Sequence, residues 1–200
     1  MEKTSRKWLD RVLKFGWLEE VPECYKNDVI CLAAVRNNSN AHQFVPNMVM
    51  SKWMCLAAVD AFGSALEFVP DEFCDREICM TAVIKDGLAL RFVPDELRTH
   101  KICVAAVDEN PYALQFAPKD ACDKELCMSA VTRIGNAIMY VPDEMLDEEI
   151  CAVAVENDKH GSAFDYVPEV IRQGAKNVEE FLANAAKPTP PSITESFSCC

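Results

Sequence analysis

The stretch Asp75-Arg-Glu-Ile-Cys-Met-Thr-Ala-Val-Ile-Lys-Asp-Gly-Leu-Ala-Leu-Arg-Phe-Val-Pro94 has close copies on both sides of it at a fixed spacing. Such self-similarity marks a repeat array. Pro22, Pro46, Pro70, Pro94, Pro118 and Pro142 follow one another at 24 residues, and Cys31, Cys55, Cys79, Cys103, Cys127 and Cys151 keep the same step. So do the Ala-Val pairs from Ala34-Val35 to Ala154-Val155. The last interval, Pro142 to Pro168, is 26 residues, with the two extra residues inside Glu156–Ser162.

Each copy carries its own punctuation. Four residues before each repeated cysteine stand Asn27, Ser51, Asp75, Thr99, Asp123 and Asp147, all side chains whose oxygen accepts from a free amide at a helix start. Counting from that cap, the third, fourth, seventh and eighth residues are apolar, as in Ile78, Cys79, Ala82 and Val83. That spacing is one face of an α-helix and predicts a helix from Arg76 to Lys85. Gly63, Gly87 and Gly135 stand twelve after the cap, where a left-handed residue after the helix end is expected; Pro111 takes the place in the fourth copy.

A second apolar set, Ala89, Leu90, Phe92 and Val93, shares a face of a shorter second helix, which the following proline stops. Pro94-Asp-Glu-Leu97 then reads as a new turn with proline first and acids at its positive end. Helices this short are marginal alone, since isolated helices need about 12–15 residues, so the copies must lean on one another. The expected fold is all-α, an α-solenoid of six 24-residue repeats. At roughly 8–10 Å between packed helices, it forms a curved rod on the order of 60 Å long. Cys and Ala suit close approach of the first helices, and the Phe row is expected to fill the wider gap between layers.

Residues 1–22 read as an N-terminal capping helix plus a degenerate half-repeat, residues 23–171 as the array, residues 172–186 as a C-terminal capping helix and residues 187–200 as a flexible tail. The first helix is expected from Thr4 to Phe15, capped by Thr4 or Ser5, with Lys3, Arg6, Lys7, Arg11 and Lys14 opposite Trp8, Leu9, Val12 and Leu13; end units of an array need such a polar outer face. Asn177-Val-Glu-Glu180 is a capping-box pattern for the closing helix. The Pro- and Ser/Thr-rich tail ends in Cys199-Cys200, a pair that resembles a prenylation site and makes both residues lipidation candidates.

Composition excludes several function classes. No apolar run approaches the roughly 20 residues of a membrane span. Eleven cysteines, six of them once per repeat on the buried face, fit small apolar packing in a reducing compartment better than disulfides, so a cytoplasmic location is expected. Three scattered histidines and no paired Cys-x-x-Cys leave no metal-ligand set. Cys74 with Cys79, and Cys122 with Cys127, are five apart, a spacing that does not bring two thiols onto one helical face. No nucleophile–base pair or phosphate loop is visible; no enzyme activity and no cofactor is expected. Net charge is −12 overall, and since the first sixteen residues carry +3, the remainder carries −15, which disfavours direct nucleic-acid binding.

The motifs Phe92-Val-Pro-Asp-Glu-Leu97, Ile78-Cys-x-x-Ala-Val83 and Gly87-x-Ala-Leu90 resemble the short helical repeats of the domain-of-unknown-function 4116 family over about residues 17–171. The resemblance implies an α-helical array. It brings no established activity and no catalytic residue with it.

If the frame is shared, partner choice lies in what differs between copies. The connecting loops vary most, and Phe62, Tyr112 and Ile134, apolar where sister copies are polar, are expected to touch a partner protein, together with His160 in the longer Glu156–Ser162 loop. A second edge is acidic and includes Asp71, Asp95 and Asp143. It permits a basic partner, or imitation of DNA toward a DNA-binding protein, while acids at helix starts also serve folding and solubility. The reading that emerges is a protein-interaction scaffold, with an acidic decoy and an adaptor tethered to a membrane through Cys199 and Cys200 as alternatives.

Overall fold

The computed structural model describes residues 2–46, 49–172 and 175–186. Their regular secondary structure is helical, with no strand among the described residues. The α-helices among the described residues are α1 (Glu2–Phe15), α2 (Asp28–Asn37), α3 (Lys52–Ala61), α4 (Arg76–Lys85), α5 (His100–Glu109), α6 (Lys124–Arg133), α7 (Glu148–Glu156), α8 (Glu169–Arg172) and α9 (Val178–Ala185). Residues 187–200, with Cys199 and Cys200, lie outside the described part.

Helices α2 to α7 start as their sequences dictate. Asn27, Ser51, Asp75, Asp123 and Asp147 each accept, through the side chain, from the amide three residues on. Thr99 holds the same place before α5 but makes no such bond. Each helix then buries four residues, for example Ile78, Cys79, Ala82 and Val83 in α4 or Ile102, Cys103, Ala106 and Val107 in α5. Every one of these helices packs on the next, α1 packs on α2, and α9 packs on α7. The core is therefore a continuous row, assembled from contacts between neighbours in sequence.

The second element of each copy is a 3₁₀ helix rather than an α-helix: Gly63–Phe68, Gly87–Phe92, Pro111–Phe116 and Gly135–Tyr140. With six residues before a proline that has no N–H to donate, the last turn closes through an i→i−3 bond, such as Val93 N–H to Leu90 O at 3.1 Å. These segments also stack on one another along the chain. Their aliphatic residues Leu66, Leu90, Leu114 and Ile138 fill the core, whereas Phe44, Phe92, Phe116 and Tyr140 are only half-buried at its margin. The aromatic row thus does not fill the gap between layers; the branched aliphatic side chains two residues earlier do.

The glycines are needed for a different reason than helix ending. Phe62, Asp86 and Ile134 terminate their helices in extended backbone, and Gly63, Gly87 and Gly135 are not left-handed; among the described residues Gly16 and Gly161 are the glycines with positive φ. A Cβ on Gly87 would lie 2.3 Å from Ala106 O in the next copy, and one on Gly63 2.4 Å from Ala82 O. The absent side chain lets one copy's 3₁₀ segment touch the next copy's helix backbone.

At the ends, α1 begins at Glu2, so Thr4 and Ser5 lie inside it and are not its caps. Its C-terminal carbonyls of Val12 and Leu13 accept from Asn37 Nδ2 at 3.2 and 2.8 Å. At α9 half of the capping box is formed: Asn177 Oδ1 accepts from Glu180 N–H, whereas the Glu180 carboxylate accepts from Lys176 N–H, one residue ahead of the cap.

Candidate functional site

Each of α2 to α7 carries a second apolar stripe along the flank of its buried one. The fifth residue after the cap is Leu32, Leu56, Met80, Val104, Met128 or Ala152, and all six are half-buried. The second residue adds exposed apolar surface at Val29 and Trp53, 62 % and 59 % exposed. Two shallow depressions lie along this face. One, of about 340 Å³, involves Arg36, Trp53, Leu56, Asp60, Glu77 and Thr81; the other, of about 600 Å³, involves Lys124, Met128, Ser129, Thr132, Arg133 and Glu149. Sequence reading missed this band because it followed only the four positions that complete a single helical face. The signal was present, since the fifth position is apolar in all six copies.

Charge is organised around the same face by pairs that cross from one copy to the next. Lys52 Nζ lies 2.6 Å from Asp75 Oδ2 and 2.8 Å from Glu77 Oε2, and Lys124 repeats the arrangement with Asp147 and Glu149 at 2.6 and 2.7 Å. Lys52 thereby holds the Asp75 carboxyl below its ordinary range, helped by the Ile78 and Glu77 amides. At Asp147 burial pushes the carboxyl up, but the Ile150 amide and Lys124 outweigh it and the net direction is down.

The loop edge brings some of the sequence candidates together and not others. Tyr112, Ile134 and His160 line one cleft of about 190 Å³ with Arg133, Asn136 and Lys159. Tyr112 stands edge-on to Tyr140, with ring centroids 6.2 Å apart. The two-residue-longer connection folds around Asp158, whose carboxylate accepts from His160 N–H at 2.9 Å and Ala163 N–H at 2.6 Å. Burial raises the Asp158 carboxyl, yet these amides hold it below its ordinary range. Phe62, 36 % exposed at the end of α3, is not part of this cleft.

Asp71, Asp95 and Asp143 are exposed on the proline-started turns. Their edge is partly neutralised: Arg98 pairs with Asp95 at 3.1 Å, Lys119 with Glu144 at 3.1 Å and Lys26 with Glu23 at 2.6 Å. Arg98 also donates to Val93 O and Phe116 O, tying two copies together. Among the described residues, no group of three or more His, Cys, Asp and Glu side chains is placed to hold a metal ion. No helix among them is long and apolar enough to cross a membrane.

A family model described as Domain of unknown function (DUF4116) matches the chain three times, over residues 54–98, 75–120 and 123–172. Each match spans roughly two of the 24-residue units, and residues 17–53, which share the motifs, lie outside them. No curated protein and no solved structure gives a match.

Proposed function

The chain belongs to the family described as Domain of unknown function (DUF4116), and on that premise we propose that it is a non-enzymatic scaffold whose partner protein lies along the outward face of α2 to α7. In this reading six 24-residue repeats form an α-solenoid, closed by α1 at one end and α9 at the other, because stacked short helices present long surfaces rather than enclosed pockets. The observation that carries it is the half-buried apolar band through Leu56, Met80, Val104 and Met128, which recurs on every repeat and is bordered by charged side chains. An apolar core with a polar rim is the anatomy of protein interfaces, and unbranched Met side chains adapt to a partner's contour. The Tyr112, Ile134 and His160 cleft gives a second, smaller contact on the loop edge.

The decoy reading relies on the acidic edge. It is weakened by the Arg98, Lys119 and Lys26 pairs, which use charges a basic partner would need.

The test is crosslinking in native lysate with the wild-type chain, Leu56→Asp/Met128→Asp, and Asp71→Asn/Asp95→Asn/Asp143→Asn. The scaffold reading expects the captured species to be lost from the first variant while its far-UV circular dichroism stays helical at the assay temperature, and retained by the second. Loss from the second variant alone, with capture strongly weakened by salt, supports the decoy and overturns the scaffold.

A further inference from the structure

The residue just before each helix cap is Lys26, Met50, Cys74, Arg98, Cys122 or Leu146. This position lies beside the core cysteine five residues on, as the 3.9 Å contact from Cys103 Sγ to Arg98 O shows. Where it is itself cysteine, two thiols meet: Cys74 and Cys79 with sulfurs 3.6 Å apart, and Cys122 and Cys127 with sulfurs 3.3 Å apart. A five-residue spacing would separate the thiols inside one helix. Here Cys74 and Cys122 precede the extended caps Asp75 and Asp123, and the chain turns them back over the first helical turn.

The two pairs differ in access. Cys122 and Cys127 are sealed, at 4 % and 0 % exposure. Cys79 is equally buried, but Cys74 above it is half-buried and reaches solvent. The geometry points to Cys74 and Cys79 as a reversible disulfide-forming site, in which Cys74 meets a small-molecule disulfide such as oxidised glutathione and Cys79 resolves the adduct.

The Cys74 thiolate attacks one sulfur of the small disulfide, forming a mixed disulfide and releasing one thiolate. The Cys79 thiolate then attacks the Cys74 sulfur, forming the Cys74–Cys79 bond and releasing the second thiolate. Two electrons pass from the protein thiols to the small disulfide, which leaves as two thiols carrying the two protons. The sulfurs need to close from 3.6 Å to about 2.05 Å, and Cys74 has the free side on which to rotate. Burial raises both thiols, Cys79 to about 12, so the exchange is slow at neutral pH and accelerates as pH rises. This site stands independently of the scaffold reading.

The reduced full chain is incubated with oxidised glutathione, quenched by alkylation, digested with trypsin and mapped by mass spectrometry. The expected product joins peptides 53–76 and 77–85 by a disulfide, at a rate at least about tenfold above any link between peptides 120–124 and 125–133, whose thiols react only after local opening. Exposed Cys24 carries a lasting glutathione adduct and shows that the reagent acts. In Cys74→Ser, a change at a half-buried position that spares the core, the link is lost and Cys79 stays reduced. In Cys79→Ala, Cys74 accumulates as the glutathione adduct. The proposal is overturned if wild-type Cys74 ends as a stable adduct, if it stays reduced while Cys24 reacts, or if Cys122–Cys127 links as fast.

Discussion

Replacing Gly87 by alanine or by asparagine separates two physical reasons for a glycine just past a helix end. If the residue were left-handed, asparagine would be the better substitute, because its short polar side chain tolerates that region. In the structure Gly87 is not left-handed, and a Cβ there would sit 2.3 Å from Ala106 O, 2.8 Å from Asn110 Cβ and 2.9 Å from Asn110 N. Alanine gains about 0.4–1 kcal/mol through the unfolded chain but overpacks a backbone contact, which costs about 1–3 kcal/mol. Pro111 occupies the matching position and is buried, so a neighbouring copy can give way, and the net loss should stay near 1–2 kcal/mol. For a chain of this size that lowers the melting temperature by roughly 2–8 °C, read by far-UV circular dichroism. Asparagine should cost at least as much as alanine. Gly161, with φ of 76° and no atom within 4 Å of an added Cβ, should show the opposite order, with asparagine the milder change. A Gly87→Asn variant more stable than Gly87→Ala, or a Gly87→Ala variant that gains stability, refutes the close-approach account.

Asp75→Ala should cost about 1 kcal/mol in urea unfolding, as loss of a bonded cap does, whereas Thr99→Ala should be nearly neutral because Thr99 makes no side-chain cap bond; equal losses contradict the assigned caps. Stability should also fall in acid. The Asp75 and Asp147 carboxyls are held below their unfolded value of about 3.9, so their contribution is present above that value and is lost as pH drops through the folded one. The loss is small for pairs this exposed. Lys52→Met/Lys124→Met should flatten the fall of the urea midpoint below about pH 5, and a slope identical to wild type removes these lysines from the explanation.

Much of this was legible in particular residues. Asn27, Asp75, Asp123 and Asp147 announced helix starts, and the apolar face of Ile78, Cys79, Ala82 and Val83 gave α4 its bounds, because both signals are local. The second element was not legible as a 3₁₀ helix, since Ala89, Leu90, Phe92 and Val93 satisfy either geometry and only the short reach to Pro94 decides. The role of Gly87 was hidden because it depends on Ala106, a neighbour 19 positions away. The Cys74–Cys79 contact was hidden for the converse reason: helical spacing was applied across a cap that breaks it. Among the candidate contact residues, the chain's longer last connection carries His160 beside Tyr112 and Ile134, a juxtaposition that no periodicity encodes.

The central claim is that each repeat rests on its neighbours and the body is elongated. Small-angle scattering from the chain truncated after Ala186 tests it most directly. Stacked helices about 8–10 Å apart predict a radius of gyration of about 20 Å or more and a pair-distance distribution with a long tail. A value of about 16 Å, expected of a compact domain of that length, with a symmetric distribution would contradict it.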